Sequence, residues 1–425
     1  MTRPLPRPVR VYRVGGSVRD ELLGRPPGDR DYAVVGATPE IMLASGYRPV
    51  GKDFPVFLHP ETQEEYALAR TERKHGRGYR GFEFFATPDV TLEDDLRRRD
   101  LTINAMARAP DGMLIDPYGG QSDLAAGILR HVSPAFAEDP LRVLRVARFA
   151  ARLGFRIADS TLELMRDIAA SGELATLAPE RVWQEVARGL SEAHPSRMLQ
   201  ALRACEALGA LLPEIDALYA VRVDGDDAGS FTERALDWSA GDAHALPARY
   251  AVLTQELDHL PPISVSAPVR ISTRTGVLRA DTVSARLKVP VDCRDAARLA
   301  ARWHRFAAHA QTLPAARLLD IVMAADALRR PERLDTLIDA TSAHLAASGV
   351  TDAPAAAAAQ ALRDALAAAK SVDAAAVARD ALVRAVRGQR GKGAPAGDRI
   401  AAALRRARLA AIRERRRNAR SDAGT

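Results

Sequence analysis

Two carboxylates stand two residues apart in Asp29-Arg30-Asp31, shortly after the glycine turn Gly15-Gly16-Ser17-Val18-Arg19-Asp20. The turn reads as the passage from an apolar strand over residues 11–14 into a helix, and residues 32–35 read as a second strand. Strand side chains alternate with a period of two, so Asp29 and Asp31 are predicted on one face. Two acids on one face repel each other unless a cation lies between them. Mg²⁺ suits them, being a hard ion held by one or two carboxylates together with substrate phosphates. Backbone N–H groups at the start of the helix suit a triphosphate. Arg19, one turn in, adds a charge-assisted bond to phosphate. The combination reads as phosphoryl or nucleotidyl transfer. Neither half is specific alone: a Gly-Gly pair is usually only a turn, and Asp-x-Asp is usually a solvated loop. The Walker pattern is absent because no Gly-Lys-Ser/Thr follows, and the dinucleotide fingerprint lacks its third glycine.

A chain of 425 residues is ample for a core and predicts two to four domains. It has no run of 18 or more apolar residues, and residues 1–10 lack the apolar stretch of a signal peptide. Cys205 and Cys293 lie far apart and form neither a disulfide framework nor a metal spacing. These features predict a soluble, cytoplasmic protein. The net charge is +7, and residues 399–425 alone carry nine Arg against two acids, 9 − 2 = +7. A clustered excess of this kind fits a polyanionic partner or, equally, a solvated basic helix.

The elements that must position the carboxylates follow in order. Thr38-Pro39-Glu40 is a helix start with Thr38 as cap and Pro39 in the first turn, ending near Gly46. Residues 56–59 and 65–70 read as strands. Glu65 is either a third carboxylate near the metal or a plain exposed strand residue. Residues 71–81, basic and glycine-rich, read as a mobile loop whose Arg73, Lys74, Arg77 and Arg80 close over a triphosphate, or as a solvated hairpin tip. Asp94 and Asp95 precede the run Arg97-Arg98-Arg99-Asp100, and Asp116-Pro117-Tyr118-Gly119-Gly120 leads into a helix from about Ser122. From Pro140 the composition turns Ala-, Leu- and Arg-rich with helical spacing. Asp139 is the predicted cap of a helix on which Arg142, Arg145, Arg148 and Arg152 form one stripe, with Leu141, Leu144 and Phe149 supplying the apolar side.

These motifs, with Leu101-Thr102-Ile103-Asn104 and Glu138-Asp139-Pro140-Leu141-Arg142, occur in the order seen in the class II tRNA nucleotidyltransferases. The chain resembles those bacterial CCA-adding enzymes of the DNA polymerase β superfamily closely over residues 11–215 and loosely beyond. The resemblance implies an α+β fold: a nucleotidyltransferase head of mixed β-sheet and helices, then an all-α neck, body and tail. It implies a catalytic, metal-binding head over residues 1–138 and a neck over 139–215 that recognises the nucleotide and binds RNA. A body over 216–350 resembling a degenerate HD phosphohydrolase domain and a basic tail over 351–425 complete the chain.

The implied roles are specific. Asp29 and Asp31 hold Mg²⁺ and are catalytic. Gly16, Arg19 and Arg99 contact the incoming ATP or CTP. Asp139 and Arg142 read the base edge as a protein template, and Arg145 and Arg148 also hold the nucleotide. The partner is the 3′ acceptor end of tRNA. The chemistry of such a template is sound: an Asp accepts from an exocyclic amino group and an Arg donates to ring nitrogens or carbonyls. Cytosine and adenine present an amino donor beside an acceptor, whereas uracil and guanine present the reverse. A bacterial poly(A) polymerase, an RNA-binding protein without catalysis, and an enzyme adding only CC or only A are the alternatives.

The HD domain needs converging His and Asp ligands, and no His-Asp pair occurs anywhere in the chain. Thr254-Gln255-Glu256-Leu257 stands where the family pattern places it. His259 reads as isolated and His304 and His309 as helical packing or surface residues, so the body is expected to be a scaffold without phosphohydrolase activity. Residues 351–379 read as Ala-rich helix, residues 388–397 as a flexible break, and residues 400–417 as a basic amphipathic helix able to touch tRNA phosphates.

Overall fold

The computed structural model describes residues 4–26, 28–50, 56–74, 82–85, 87–223, 225–260, 273–387 and 395–422. The chain divides into two compact units, residues 1–213 and 214–425.

The first unit opens on β1 (Arg10–Val14), α1 (Gly16–Leu22), β2 (Asp31–Val35), α2 (Pro39–Ala44), β3 (Arg48–Val50), β4 (Val56–Leu58) and β5 (Glu65–Leu68). Then come β6 (Thr71–Lys74), β7 (Phe82–Phe85), α3 (Leu92–Arg97), β8 (Ala107–Arg108), β9 (Leu114–Ile115) and α4 (Gly120–Ala126). Seven strands form one mixed sheet in the order β3-β4-β5-β2-β1-β8-β9. β2 lies antiparallel to β1, with Asp31 opposite Val14, and parallel to β5, with Asp31 opposite Glu65. Both faces of the sheet are covered. Ala33, on the Asp31 face, packs with Val14 and with Leu92 and Leu96 of α3. Val34, on the other face, packs with Met42, Phe57 and Leu68. Each such apolar side chain buried is worth roughly 1.5–3 kcal/mol, so this packing holds α3 over the Asp31 face.

Local signals explain much of this. Thr38 caps α2 by accepting from Ile41 N. Thr91 and Asp94 form a reciprocal capping box at α3, a motif worth about 1 kcal/mol. Asp116 accepts from Gly120 N and Gln121 N and starts α4 two residues before the expected Ser122. Thr71–Lys74 pairs antiparallel with Phe82–Phe85, so of the two readings the hairpin holds and the loop does not begin at residue 71. Arg77 and Arg80 lie outside the described residues, as do the side chains of Arg73 and Lys74.

The unit continues with α5 (Leu141–Leu153), α6 (Asp159–Ala170), α7 (Pro179–Ser191), α8 (Pro195–Ala204) and α9 (Ala207–Leu211), α5 packing on α7 and α8. The boundary falls within α10 (Pro213–Asp216).

The second unit is helical: α11 (Ala228–Gly241), α12 (Leu246–Thr254), α13 (Thr273–Arg286), α14 (Val291–Ala308), α15 (Ala315–Ala324), α16 (Glu332–Ala347), α17 (Asp352–Lys370), α18 (Ala374–Arg387) and α19 (Ala396–Asp422). A two-residue hairpin pair at Arg222–Val223 and Asp226–Asp227 is the only strand pairing there among the described residues. Of the expected break at residues 388–397, residues 388–394 lie outside the described residues, and its last two residues are already helical because α19 starts at Ala396. α19 is basic as expected, but it packs on α15, α17 and α18 and buries Ile412. Arg405 pairs with Asp320 at 2.7 Å and Arg415 with Asp364 at 2.6 Å. Both cysteines are free and buried.

Candidate active site

The start of β2, the turn before α1, the C-terminus of α3 and one face of α5 converge on a cavity of about 850 Å³. Gly16, Arg19, Asp31, Arg99, Asp139, Arg142, Arg145 and Arg148 all line it. Asp29 does not. β2 begins at Asp31, so Asp29 sits in an exposed bend before it and the period-two argument does not reach it.

Asp31 stands at the cavity wall beside two other acids. Its carboxyl is pushed above the usual range by the surrounding protein and by the charges of Glu65 and Asp29, against the pull of Arg99. Glu65, left open between two readings, is thus electrostatically part of this group. Carboxylates gathered at one place suit a hard divalent cation, which removes their repulsion.

The turn that delivers Arg19 has a steric cause. Gly15 has φ +73°, and a Cβ there would lie 2.8 Å from an Arg99 guanidinium nitrogen. Any other residue would be strained and would displace Arg99. Arg19 is buried and donates to Asp20 Oδ1 at 2.9 Å and to Asn104 Oδ1 at 2.5 Å. Asn104 in turn donates to Asp100 Oδ1 at 3.0 Å, and Arg145 donates to Asp100 Oδ2 at 2.8 Å. Burial works against the Asp100 charge, but Arg145 and the Asn104 hydrogen bond hold its carboxyl far below the usual range. Asp95, buried on α3, binds Arg98 at 2.7 Å and Arg99 at 3.1 Å, and the two guanidinium groups bring it down to about 2 against its burial.

The stripe on α5 is not a solvated face. Arg142 and Arg148 are each only 7 % exposed. Arg148 pairs with Glu185 of α7 at 2.6 Å, and its guanidinium lies 4.5 Å from the Phe149 ring centre. The same ring has Arg19 at 5.2 Å and Arg145 at 6.0 Å. Arg142 donates to the backbone oxygens of Ala135 at 2.7 Å and Arg98 at 2.6 Å. Asp139, the expected cap, lies one position before the observed one: Pro140 is the capping residue, and Asp139 still accepts from Leu141 N at 3.1 Å. Its second oxygen accepts from Arg181 of α7 at 3.2 Å.

Asp100, Asn104, Phe149, Arg152 and Arg181 thus join the site without an assigned role from sequence. Asp100 and Asn104 sat in quoted motifs and Arg152 in the stripe. Arg181 had no signal at all. Nine arginines and three aspartates line the cavity, an excess of six positive charges.

A second polar cluster lies in the helical unit and corrects the reading of its histidines. His304 on α14 is buried, and His344 on α16, which carried no sequence signal, donates from Nδ1 to Glu256 Oε1 at 2.8 Å. His259 is not isolated, since its Nε2 lies 3.1 Å from Glu256 Oε2. One atom each from Glu256, His304 and His344 falls within 4.8 Å of the others, a spacing metal ligands also show. A cation is already supplied by the protein: Arg305 contacts Asp258 at 3.1 Å, Glu256 at 3.5 Å and His259. Burial opposes the Glu256 charge, but His259, His344 and His304 hold its carboxyl well below the usual range. Burial brings His304 down to about 4, despite the Glu256 charge.

Comparison with known proteins agrees with this architecture. Residues 11–130 match the poly A polymerase head domain, and residues 154–219 match the probable RNA and SrmB-binding site of polymerase A. The multifunctional CCA protein of Azoarcus sp. (strain BH72) is 54 % identical over 380 residues, 87 % of this chain and 92 % of that protein. That of Dechloromonas aromatica (strain RCB) is 56 % identical over 339 residues, 78 % and 82 % of the two chains. The crystal structure of Bacillus stearothermophilus CCA-adding enzyme in complex with CTP shares the fold at a TM-score of 0.64 and 22 % identity, covering 98 % of this chain and 95 % of that one. With a glycine turn, a carboxylate group and an arginine cavity in one head, and relatives matched over nearly their whole length, the chain belongs to the class II tRNA nucleotidyltransferases, the family of the bacterial multifunctional CCA proteins.

Proposed function

We propose that the chain adds and repairs the 3′-terminal CCA of tRNA from CTP and ATP, without a nucleic-acid template, releasing pyrophosphate. The observation that carries this reading is the cavity in which Asp31 faces nine arginines. An excess of guanidinium groups suits a triphosphate, which binds in charge-assisted, bidentate fashion. Arg19 and Arg99 are assigned to phosphate and sugar, with Gly16 giving close backbone approach. Arg145 and Arg148 hold the nucleotide from α5. Their partners Asp100 and Glu185 fix both guanidinium groups before substrate arrives, so little ordering remains to be done on binding.

Asp139 and Arg142 are assigned to the base edge. Asp139 accepts the exocyclic amino group of C or A. Arg142 donates to the neighbouring acceptor and must exchange a backbone oxygen of Ala135 or Arg98 to do so. The 3′-oxygen of the tRNA forms a bond to the α-phosphorus, the bond to the pyrophosphate oxygen breaks, and the hydroxyl proton leaves. Holding these atoms in line accounts for much of the acceleration.

The family uses a divalent metal ion. We assign Mg²⁺, held by Asp29 and Asp31 with Glu65 beside them. When bound, it supplies Lewis-acid activation of the hydroxyl and neutralises the leaving group. We assign residues 1–138 as head, 139–215 as neck, 216–350 as body and 351–425 as tail. No helix among the described residues is long and apolar enough to cross a membrane, and we assign the cytoplasm.

Transfer RNA lacking its terminal CCA, incubated with Mg²⁺ and CTP, ATP or both, tests the reading. Two residues added with CTP, a third only with ATP, and then a stop are expected. A long ladder with ATP alone would make the protein a poly(A) polymerase, the activity named in the matched head-domain family.

A further inference from the structure

Two side chains one turn apart on α7 reach across to α5 and to Asp139, two residues before it. Glu185 takes Arg148 at 2.6 Å, and Arg181 takes Asp139 at 3.2 Å. The rest of the α7 surface that is buried is apolar, through Val182, Trp183, Val186 and Leu190. Arg181 is not one of these packing residues. Its side chain keeps 26 % of its exposure and lines the nucleotide cavity.

The contact falls on the atom that matters for base choice. Asp139 Oδ1 is engaged by Leu141 N, which anchors one oxygen of the carboxylate to the start of α5. Oδ2 is engaged by Arg181. With both oxygens held, the plane of the carboxylate is set. With Arg181 removed, a single backbone bond remains among these two, and the group can turn about its Cβ–Cγ bond. A carboxylate oxygen accepts more than one hydrogen bond, so Arg181 can stay in place while a base amino group binds.

We infer that Arg181 is a positioning residue for base selection: it sets the orientation of the Asp139 carboxylate and thereby the preference for C and A over U and G. This inference rests on the assignment of Asp139 as base reader. The physics is directional. A fixed carboxylate oxygen attracts the amino group of cytosine and repels the carbonyl of uracil at the same edge. A carboxylate free to turn does less of both, so the ratio of the two substrates falls even where overall binding survives.

The test uses the full-length chain, tRNA lacking CCA, and kcat/KM for CTP and UTP measured separately. Arg181→Ala is expected to lower the CTP/UTP ratio about ten-fold, within the range of one base-edge hydrogen-bond pair. Arg181→Lys, which keeps the charge, recovers part of it. Asp139→Ala loses the ratio as well, and adding Arg181→Ala to that background changes it no further. A fall in kcat/KM by the same factor for both nucleotides in Arg181→Ala, or equal losses in the Asp139→Ala background, would overturn the inference and leave Arg181 a purely structural brace. An unchanged ratio in Asp139→Ala would instead remove the base-reader assignment and the inference with it. If Arg181→Ala does not fold by circular dichroism, Arg181→Gln carries the same comparison, with a lowered ratio expected and an unchanged one decisive against it.

Discussion

The two units each gather arginine, carboxylate and, in one case, histidine at a sheltered place, yet the charge is settled in opposite ways. In the cavity of the first unit, arginines outnumber aspartates nine to three among the lining residues. The matching acids, Asp20, Asp95 and Glu185, sit behind the arginines and orient them without cancelling the excess. In the second unit, Glu256 and Asp258 are each within 2 % of full burial and meet Arg305 and three histidines. That cluster closes on itself. A surplus of charge at a solvent-filled cavity is available to a ligand. A set of charges engaged mainly with one another around buried carboxylates contributes to the fold, and losing one member is costly.

The comparison can be broken most sharply at its acids. Asp31→Ala is expected to cut nucleotide incorporation by about 10³-fold or more, on the scale of losing an electrostatic centre in catalysis, with tRNA binding nearly intact. Because its neighbours raise the Asp31 pKa, removing this acid relieves repulsion, so urea unfolding should show no loss of stability. Activity close to normal in this variant would take the metal assignment away.

Glu256→Ala should do the reverse. It removes the buried carboxylate that His259, His344 and Arg305 share, leaving Arg305 with Asp258 and His259, at a cost of roughly 3–5 kcal/mol for a broken buried pair, read as a lower urea midpoint. A midpoint within experimental error of the parent would mean that the cluster does not support the fold.

The histidine in that cluster gives a pH signature. His304 is held at about 4 against a usual 6.5. The unfolded chain therefore binds a proton that the folded chain refuses between those values. Stability is complete above about pH 6.5 and falls as pH drops toward 4, by at most about 3 kcal/mol. His304→Gln should flatten the stability curve over that window. A curve of unchanged slope would place the proton elsewhere.

The smallest effect is expected at the tail. Arg415 and Asp364 form a largely exposed pair, with side-chain exposures of 51 % and 31 %. Such pairs contribute up to about 1 kcal/mol. Arg415→Ala should shift the urea midpoint little and lower the salt dependence of tRNA binding slightly, measured by filter binding across a salt series. A large stability loss would show that α19 depends on this pair more than on burial of Ile412.

Sequence alone carried the elements whose causes are local. The Thr38 cap and Pro39 start of α2, the glycine turn before α1, and the helical spacing of the α5 arginines depend on neighbours a few residues away. The ordered motifs carried the family, and with it the mixed-sheet head and helical remainder. The period-two argument does not extend to Asp29 because the strand begins at Asp31, a boundary set by pairing with Val14 of β1 and Glu65 of β5.

What the tertiary structure decided is which charges meet. Arg181 finds Asp139 across 42 positions, Arg152 finds Asp20 across 132, and His344 finds Glu256 across 88. Residue type and spacing state that a guanidinium or an imidazole is available. They do not state whether packing of distant helices will neutralise it in the interior or leave it facing a cavity, because that depends on the dielectric and the partners assembled around it. Arginines therefore line an open basic cavity in one unit and, as Arg305, serve as counter-ion to buried carboxylates in the other.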